Sequence, residues 1–593
     1  MKWIQCAVIL FVWSCTAEET VKNAAWTWEC KNGNCVKLRV QPGQEEKAIS
    51  LSACQISCDP FGTLWPRPTG IVQLGGDLVP LDSNSIEINE QNENAASKLV
   101  RAGYRNFEVR VKKIGSSEAQ NGNGNPLVVT LNIKDPSQTQ LKLYTNESYA
   151  LRITQSEDGS INATITAPTY FGGRHGLETL GQLIVYDDIR EILRIPNDVY
   201  ITDEPLYTYR GILLDTARNY ISVDTIKRTI DGISASKLNT FHWHITDSQS
   251  FPYVSESNPK LSQLGAYTPR QVYTPEDIAG IMQYAQERGV RVLPEFDAPA
   301  HVGEGWQDTN FIICFNSQPW GSYCVEPPCG QFDPTQAQLY DALEGIYKDM
   351  VKQFNPDIFH MGGDEVSLSC WNSSKPLQDW MKNRGWSLDE AGYMKLWNLF
   401  QTQALERLDR QAGEKLQIIM WTSTLTKAEY IEEYLPKDRY IIQIWTDAKD
   451  QQISDLIDKG YKLILSNYDA LYLDCGFGGW VTDGSNWCAP YKGWQAAYTN
   501  SPSSYGGSKG QFLGGEAALW TEQVDDASVD NRIWPRAAAM AERLWSDPIS
   551  SWRKAENRML IHRDRLINRG IAAEALQPQW CQQNQNNCPS NPL

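Results

Sequence analysis

Eight short apolar runs separated by helical periodicity constrain this chain more than any other feature of its 593 residues. The runs lie at 211–215, 240–245, 290–296, 358–361, 417–421, 440–445, 462–466 and 512–519. Amphipathic spacing fills most gaps between them, at 223–238, 275–288, 338–354, 388–411 and 450–459, and 532–569 adds a closing helix and one more. Strands that alternate with helices in this way form a parallel sheet joined by crossovers. Eight of them over such a length are the count of a (β/α)8 TIM barrel, so an α/β fold is expected.

The residues ahead of the barrel follow another pattern. Residues 66–205 predict a small α+β domain, with strands at 106–112 and 127–133, a hairpin of 150–154 and 161–166 around Asp158-Gly159, and a helix at 176–185. Residues 18–65 are Cys-rich and loop-like. At the start, Lys2, an apolar run from Cys6 to Trp13 and the small Cys15 and Ala17 read as a signal peptide, 1–17. That run is too short to span a bilayer, and no later stretch is long, apolar and uncharged. A secreted, extracellular chain with no membrane partner is expected. The barrel and its C-terminal tail would then occupy 206–593.

Setting Cys6 and Cys15 aside, fourteen cysteines become twelve, an even number suited to disulfides in an oxidising compartment. Cys30, Cys35, Cys54 and Cys58 would staple the N-terminal segment; spacing does not decide among the pairings, and Cys30–Cys58 with Cys35–Cys54 is the expectation. Cys324 with Cys329, Cys475 with Cys488 and Cys581 with Cys588 would close short loops, leaving Cys314 for Cys370. No paired C-x2-C ribbon spacing points to zinc, and neither metal nor cofactor is expected. Asn146, Asn162 and Asn372 open N-x-S/T glycosylation acceptors. A net charge of -17 argues against a nucleic-acid partner, whose phosphates demand clustered Lys and Arg.

On such a barrel the chemistry gathers at the C-terminal ends of the strands. From Asp357 to Val366 the chain is strand-like until Gly362 and Gly363 release the backbone and deliver Asp364 and Glu365 side by side. Alone, such a turn reads equally well as a solvated acidic loop. The other strand ends tip the balance. The first carries Asp215 and Arg218, the second His242, His244 and Asp247, the third Glu295, Asp297 and His301, and the fourth His360. Trp421, Trp445 and Trp520 end the fifth, sixth and eighth, while Tyr472 and Asp474 follow the seventh. Four of the six histidines fall in this set. Flat aromatic faces pack the C–H faces of a pyranose, and carboxylates with an arginine bond its hydroxyls, so a sugar site is expected. His242 and His244, two apart on one strand, suit a metal or a plain core role; the core role is expected.

As a set, Asp215-x-x-Arg218, His242-x-His244-x-x-Asp247, the Asp297 to His301 segment, His360-x-Gly362-Gly363-Asp364-Glu365 and the late tryptophans resemble the family-20 glycoside hydrolases, the β-N-acetylhexosaminidases. The resemblance spans about 66–575, including the 173–179 segment of the preceding domain. Val325-Glu326 in the long third loop and Trp480 and Trp487 in the seventh are similar to the insect chitin-degrading branch.

The resemblance implies a TIM barrel behind a small α+β domain and an exo-acting enzyme. It would remove terminal non-reducing β-linked N-acetylglucosamine from chitin oligosaccharides or other β-N-acetylhexosaminides. Family-20 enzymes depart from the two-carboxylate scheme: the substrate's 2-acetamido oxygen attacks its own anomeric carbon. Glu365 would be the general acid and then the base, Asp364 would hold the acetamido N–H, and Tyr472 would bond the acetamido carbonyl. Asp247 and His301 would support the acid through a hydrogen-bond chain. Arg218, Asp474 and Glu522 would grip sugar hydroxyls, Trp421, Trp445 and Trp520 would wall the pocket, and Val325, Glu326, Trp480 and Trp487 would form the next subsite. A homodimer is also implied. Two other functions share these residues: a lysosomal-type hexosaminidase trimming glycoconjugates, and a carbohydrate-binding protein without turnover.

Overall fold

The computed structural model describes residues 24–75, 77–89, 93–114, 124–585 and 588, so the signal-like segment 1–17 lies outside the described residues. Eight parallel strands close into a barrel: Tyr209–Asp215, Thr240–His244, Arg291–Glu295, Ile358–His360, Gln417–Trp421, Tyr440–Ile444, Lys462–Leu465 and Phe512–Leu519. They pair in chain order, and the last returns to the first with Leu519 opposite Leu214. Register aligns the strand ends: Asp215 lies opposite His244, His244 opposite Glu295, and Glu295 opposite His360. Four polar residues on neighbouring strands are thereby brought to one rim.

Side chains fill the barrel interior in layers. One layer is apolar, with Tyr209, Leu293, Ile358, Ile419, Ile441, Ile464 and Leu513 packed together. Another is polar: His242 and Gln443 bond Glu516 at 2.8 and 2.6 Å, and His360 meets Glu295 at 2.9 Å. Outside, the helices bury one stripe each. In Val223–Ala235 the stripe is Ile226, Ile230 and Ile233, and the helix starts where Ser222 accepts the Thr225 N–H. Pro275–Glu287 begins with a capping box between Thr274 and Asp277 and a proline in its first turn.

Ahead of the barrel, an eight-stranded mixed sheet between Val72 and Asp203 packs against helices Ser97–Lys112 and Tyr170–Gln182. The strand expected at 106–112 is instead the end of the helix Ser97–Lys112. Alternation of Phe107, Val109 and Val111 imitated a strand, but Val109 is exposed, while Leu99, Ala102, Gly103, Phe107 and Val111 keep helical spacing toward the core. The helix expected at 176–185 ends at Gln182, and Val185 opens the next strand. The described part of the N-terminal segment, 24–65, also holds more regular structure than a loop. Strands Trp26–Lys31 and Asn34–Arg39 form a hairpin whose Asn32-Gly33 turn has φ of 55° and 78°, the pair of left-handed residues a tight two-residue turn demands. Cys30–Cys58 and Cys35–Cys54 tie this hairpin to the helix Leu51–Cys58. The remaining bridges are Cys314–Cys370, Cys324–Cys329, Cys475–Cys488 and Cys581–Cys588. No helix among the described residues is long and apolar enough to cross a membrane.

Candidate active site

The rim loops enclose a cavity of about 380 Å³. Arg218, His301, Asp364, Glu365, Trp445, Tyr472, Asp474, Trp520 and Glu522 line it, together with Glu326 and the more exposed Val325, Trp480 and Trp487. Two residues of the expected set stand behind the lining. Asp247 is buried beneath Arg218 and His301. Trp421, expected as a wall, is fully buried behind Trp520 with ring centroids 6.0 Å apart, and its indole N–H donates to Glu295 Oε1 at 2.8 Å. A polar anchor inside the barrel thus turns it from wall to support.

The carboxylate pair depends on the glycines before it. Gly362 and Gly363 have φ of 61° and 85°, and a Cβ on Gly362 would come within 1.8 Å of Asp297 Oδ1. Asp297 Oδ1 accepts the Gly363 N–H at 2.8 Å, which fixes the turn. Glu365 and His301 adopt left-handed φ of 52° and 55° without a glycine's freedom, a strain that gathers at functional positions.

One imidazole nitrogen serves both acids. His301 Nε2 lies 3.3 Å from Glu365 Oε2 and 3.7 Å from Asp364 Oδ2, while its Nδ1 is 3.1 Å from Asp247 Oδ2. Asp247 Oδ2 is also 2.8 Å from Arg218 Nη1 and 2.9 Å from His244 Nε2, and His244 Nδ1 reaches Glu295 Oε2 at 2.6 Å. A continuous polar chain therefore runs from Glu365 into the barrel core. The His-x-His-x-x-Asp spacing holds the signal for the His244 link, but its partner Glu295 comes only from strand register.

Charge follows this geometry. Burial favours neutral His301, but the carboxylates of Asp247, Asp297 and Asp364 outweigh it and hold its pKa well above the usual imidazole range. Burial likewise opposes the ionised form of Asp247, yet Arg218 and His301 keep its pKa well below the carboxylate range. Burial pushes Asp364 up; His301 pulls it back and Glu365 pushes it further. Burial raises Asp474 to about 7 and, with Glu326 beside it, moves Glu522 well above its ordinary value. Tyr472 stays a phenol because burial and then Asp364 hold its pKa well above 10.

Arg218 is aimed from below. Asp215 Oδ1 accepts the Ala217 and Arg218 N–H groups at 2.8 and 3.2 Å, and the guanidinium lies 5.0 Å over the Trp520 ring. Its Nε and Nη2 both donate to Glu326 Oε1 at 3.0 Å, so the third loop reaches across to the first strand. Phe477, Val481, Asn486, Gln523 and Val524 complete the lining from irregular loops, where periodicity gives no signal, and Arg532 joins them from the short helix Val529–Ile533. His242, Glu295 and His360 present atoms within 4.8 Å of one another, a spacing a metal accepts. Burial notwithstanding, Glu516 and Glu295 raise His242 to about 9, so a cation bound there would have to displace the imidazole proton. Of the three acceptor asparagines, Asn146 and Asn372 are exposed, and Asn162 is half-buried in the strand Ile161–Ala167.

Adjacent carboxylates at a barrel rim, faced by aromatic walls and backed by a charged arginine, are the equipment of a glycoside hydrolase. Residues 207–548 match the glycosyl hydrolase family 20 catalytic domain, and residues 64–183 match a domain described as beta-acetyl hexosaminidase like. The chain belongs to glycosyl hydrolase family 20. It is 53% identical over 586 residues, 98% of either chain, to the chitooligosaccharidolytic beta-N-acetylglucosaminidase of Ostrinia furnacalis. With the Bombyx mori protein of the same name it shares 52% identity over 570 residues, 96% of either chain. The solved chitobiase of Flavobacterium johnsoniae superposes with a TM-score of 0.67 at 27% identity, covering 86% of this chain and 73% of that one.

Proposed function

We propose that this hydrolase removes terminal non-reducing N-acetylglucosamine from chitin oligosaccharides, with the substrate's own acetamide as nucleophile. The observation that carries the reading is the adjacent pair Asp364 and Glu365, which share one turn, both line the rim cavity and lie 3.7 and 3.3 Å from His301 Nε2. Asp364, a carboxylate on the cavity wall, accepts an acetamido N–H there in a charge-assisted hydrogen bond. With the N–H so held, the acetamido oxygen faces the anomeric carbon. Glu365 protonates the departing glycosidic oxygen while the acetamido oxygen closes an oxazolinium ring, whose positive charge Asp364 steadies. Glu365 then takes a proton from water, which opens the ring and leaves the configuration retained.

The other roles follow from placement around that centre. Tyr472 holds the acetamido carbonyl. His301, oriented by Asp247, keeps a positive charge against both acids. Arg218, Asp474 and Glu522 take the sugar hydroxyls from their places on the cavity wall. Trp445 and Trp520, backed by Trp421, wall a pocket for one sugar, which makes the enzyme exo-acting. Val325, Glu326, Trp480 and Trp487 receive the next. The printed names of the two insect relatives support chitin oligosaccharides over other hexosaminides. The signal-like start and six disulfides support secretion, division near residues 65 and 205 accounts for the changes in pattern, and a homodimer rests on family resemblance alone. Product analysis on chitotetraose tests the activity: single N-acetylglucosamine units should appear from the first minutes, and early release of disaccharide would overturn the exo reading.

A further inference from the structure

A second cavity, of about 330 Å³, lies away from the barrel rim, where helices Ser97–Lys112 and Tyr170–Gln182 of the mixed-sheet domain meet Pro275–Glu287 of the barrel and the C-terminal Trp552–Asn568. Its charge runs against that of the chain. The whole sequence is strongly acidic at -17, yet Arg110, Arg174, Arg288, Arg565, Arg569 and Lys113 all line this one space. Their carboxylate partners are few. Glu178, fully buried, is shared by Arg110 and Arg569, and Asp231 is taken by Arg288. Arg174 and Arg565 have no carboxylate partner among the described residues. Arg174 donates to Ser234 O and Oγ at 2.8 Å, and Arg565 to Thr63 O and Oγ1 at 2.6 Å and to Gln182 O at 2.9 Å. The Arg174 Nε is buried with no acceptor among the described residues.

Neutral acceptors fix the direction of these guanidiniums, and the carboxylate that acts most on both is Glu178, already shared by Arg110 and Arg569. With Asp231 and Glu287, which line the space, the acids number three against six cations. Burial holds Arg565 down to about 9 and Arg174 to about 10, the mark of positive charge kept in a poorly solvated place. Val109, Ile114, Leu177 and Ile184 supply apolar wall beside the arginines. Arginine forks match phosphate and sulfate oxygens, and a space of this size accepts a small molecule carrying one such group. We propose that the cavity is a binding site for a small organic anion bearing a phosphate or sulfate group, held at the junction of the mixed-sheet domain and the barrel. Its occupant bridges helices from both domains, so binding stabilises their association and leaves hydrolysis at the distant rim unchanged.

The test uses the full chain with N-acetylglucosamine at saturating concentration, so that the rim pocket is not the site probed. Phenyl phosphate and phenyl sulfate are compared with inorganic phosphate, inorganic sulfate and chloride at matched ionic strength. A saturating aryl ester should raise Tm by roughly 2–4 °C over the chloride control, and should bind more tightly than the inorganic ion. Arg565→Gln should abolish the shift. Because that variant also loses hydrogen bonds to Thr63, a second one blocks the space without touching charge. A Cβ on Gly181 meets only Phe107, at 3.8 Å, so Gly181→Leu projects a side chain toward the cavity from a helix that tolerates it. That variant should keep its hydrolytic rate and lose the shift. No shift beyond chloride, or a shift that persists in Gly181→Leu, would overturn the proposal; a difference between the phosphate and sulfate arms would name the preferred group.

Discussion

His301 sets the charge state of the pocket, because its ring touches both acids and is itself held by Asp247. Replacing Asp247 by Asn removes the anion that keeps this imidazole protonated. The sign follows: His301 loses its proton at lower pH, its charge no longer restrains Asp364, and burial then raises that carboxyl further. The acid limb of the kcat/KM profile should move to higher pH in Asp247→Asn; an unmoved limb would separate His301 from the titration of Asp364. Glu365→Gln should cost about 10²- to 10⁴-fold in kcat on substrates with poor leaving groups and much less on aryl glycosides whose leaving group needs no proton, as stopped-time assays on both classes would measure. The pair Asp364 and Glu365 was legible because two glycines, two acids and a preceding strand are contiguous in the chain. The support given by His244, Glu295 and Trp421 was not, since each partner lies on a different strand and only parallel register joins them. Gly362→Ala tests the turn itself. A methyl group there meets Asp297 and an unfavourable φ, so activity should fall while the fold loses about 1–3 kcal/mol, measurable by urea unfolding.

The barrel strands emerged from sequence within a residue or two of their ends because buried strands are short, apolar and bracketed by helices. The last residues of the helix Ser97–Lys112, 106–112, alternate as a strand would, and only its earlier buried positions betray the helical period. Long loops were the least legible elements. The seventh, closed by Cys475–Cys488, carries Trp487 with 65% of its surface exposed and its ring 5.0 Å from Tyr468 and 6.2 Å from both Trp445 and Tyr472. On the proposed function, such a ring stacks on a sugar beyond the first. Trp487→Ala should raise KM for chitotriose by about 2- to 10-fold, the worth of one stacking face, while sparing small aryl glycosides. Equal losses on both would make the residue a support for its loop.

The two domains are joined through buried ion pairs rather than an apolar seam alone. Arg210 at the barrel base meets Glu147 at 2.7 Å, and Glu147 also bonds His175 and Asn239, while Lys237 meets Asp203 at 3.0 Å. Removing one partner leaves the other charge buried, so Glu147→Ala should cost about 3–5 kcal/mol in denaturant unfolding and weaken both domains together. The barrel core carries a pH dependence of its own. Glu516 and Glu295 raise His242 to about 9 against burial, so its contribution is complete below the unfolded value near 6.5 and is lost as pH rises through 9. The Tm difference between wild type and His242→Gln should therefore shrink from pH 6 to pH 9.

All of these parts serve one claim, that the substrate carries its own nucleophile. The measurement that bears on it most directly compares an aryl N-acetyl-β-glucosaminide with the aryl β-glucoside that differs only by a 2-hydroxyl in place of the acetamide. The glucoside should react at least about 10³-fold more slowly, since an internal nucleophile acts at a very high effective concentration and has no replacement here. Cleavage of the glucoside at a comparable rate, or a covalent glycosyl ester trapped on Asp364, would contradict the account and leave a two-carboxylate hydrolase in its place.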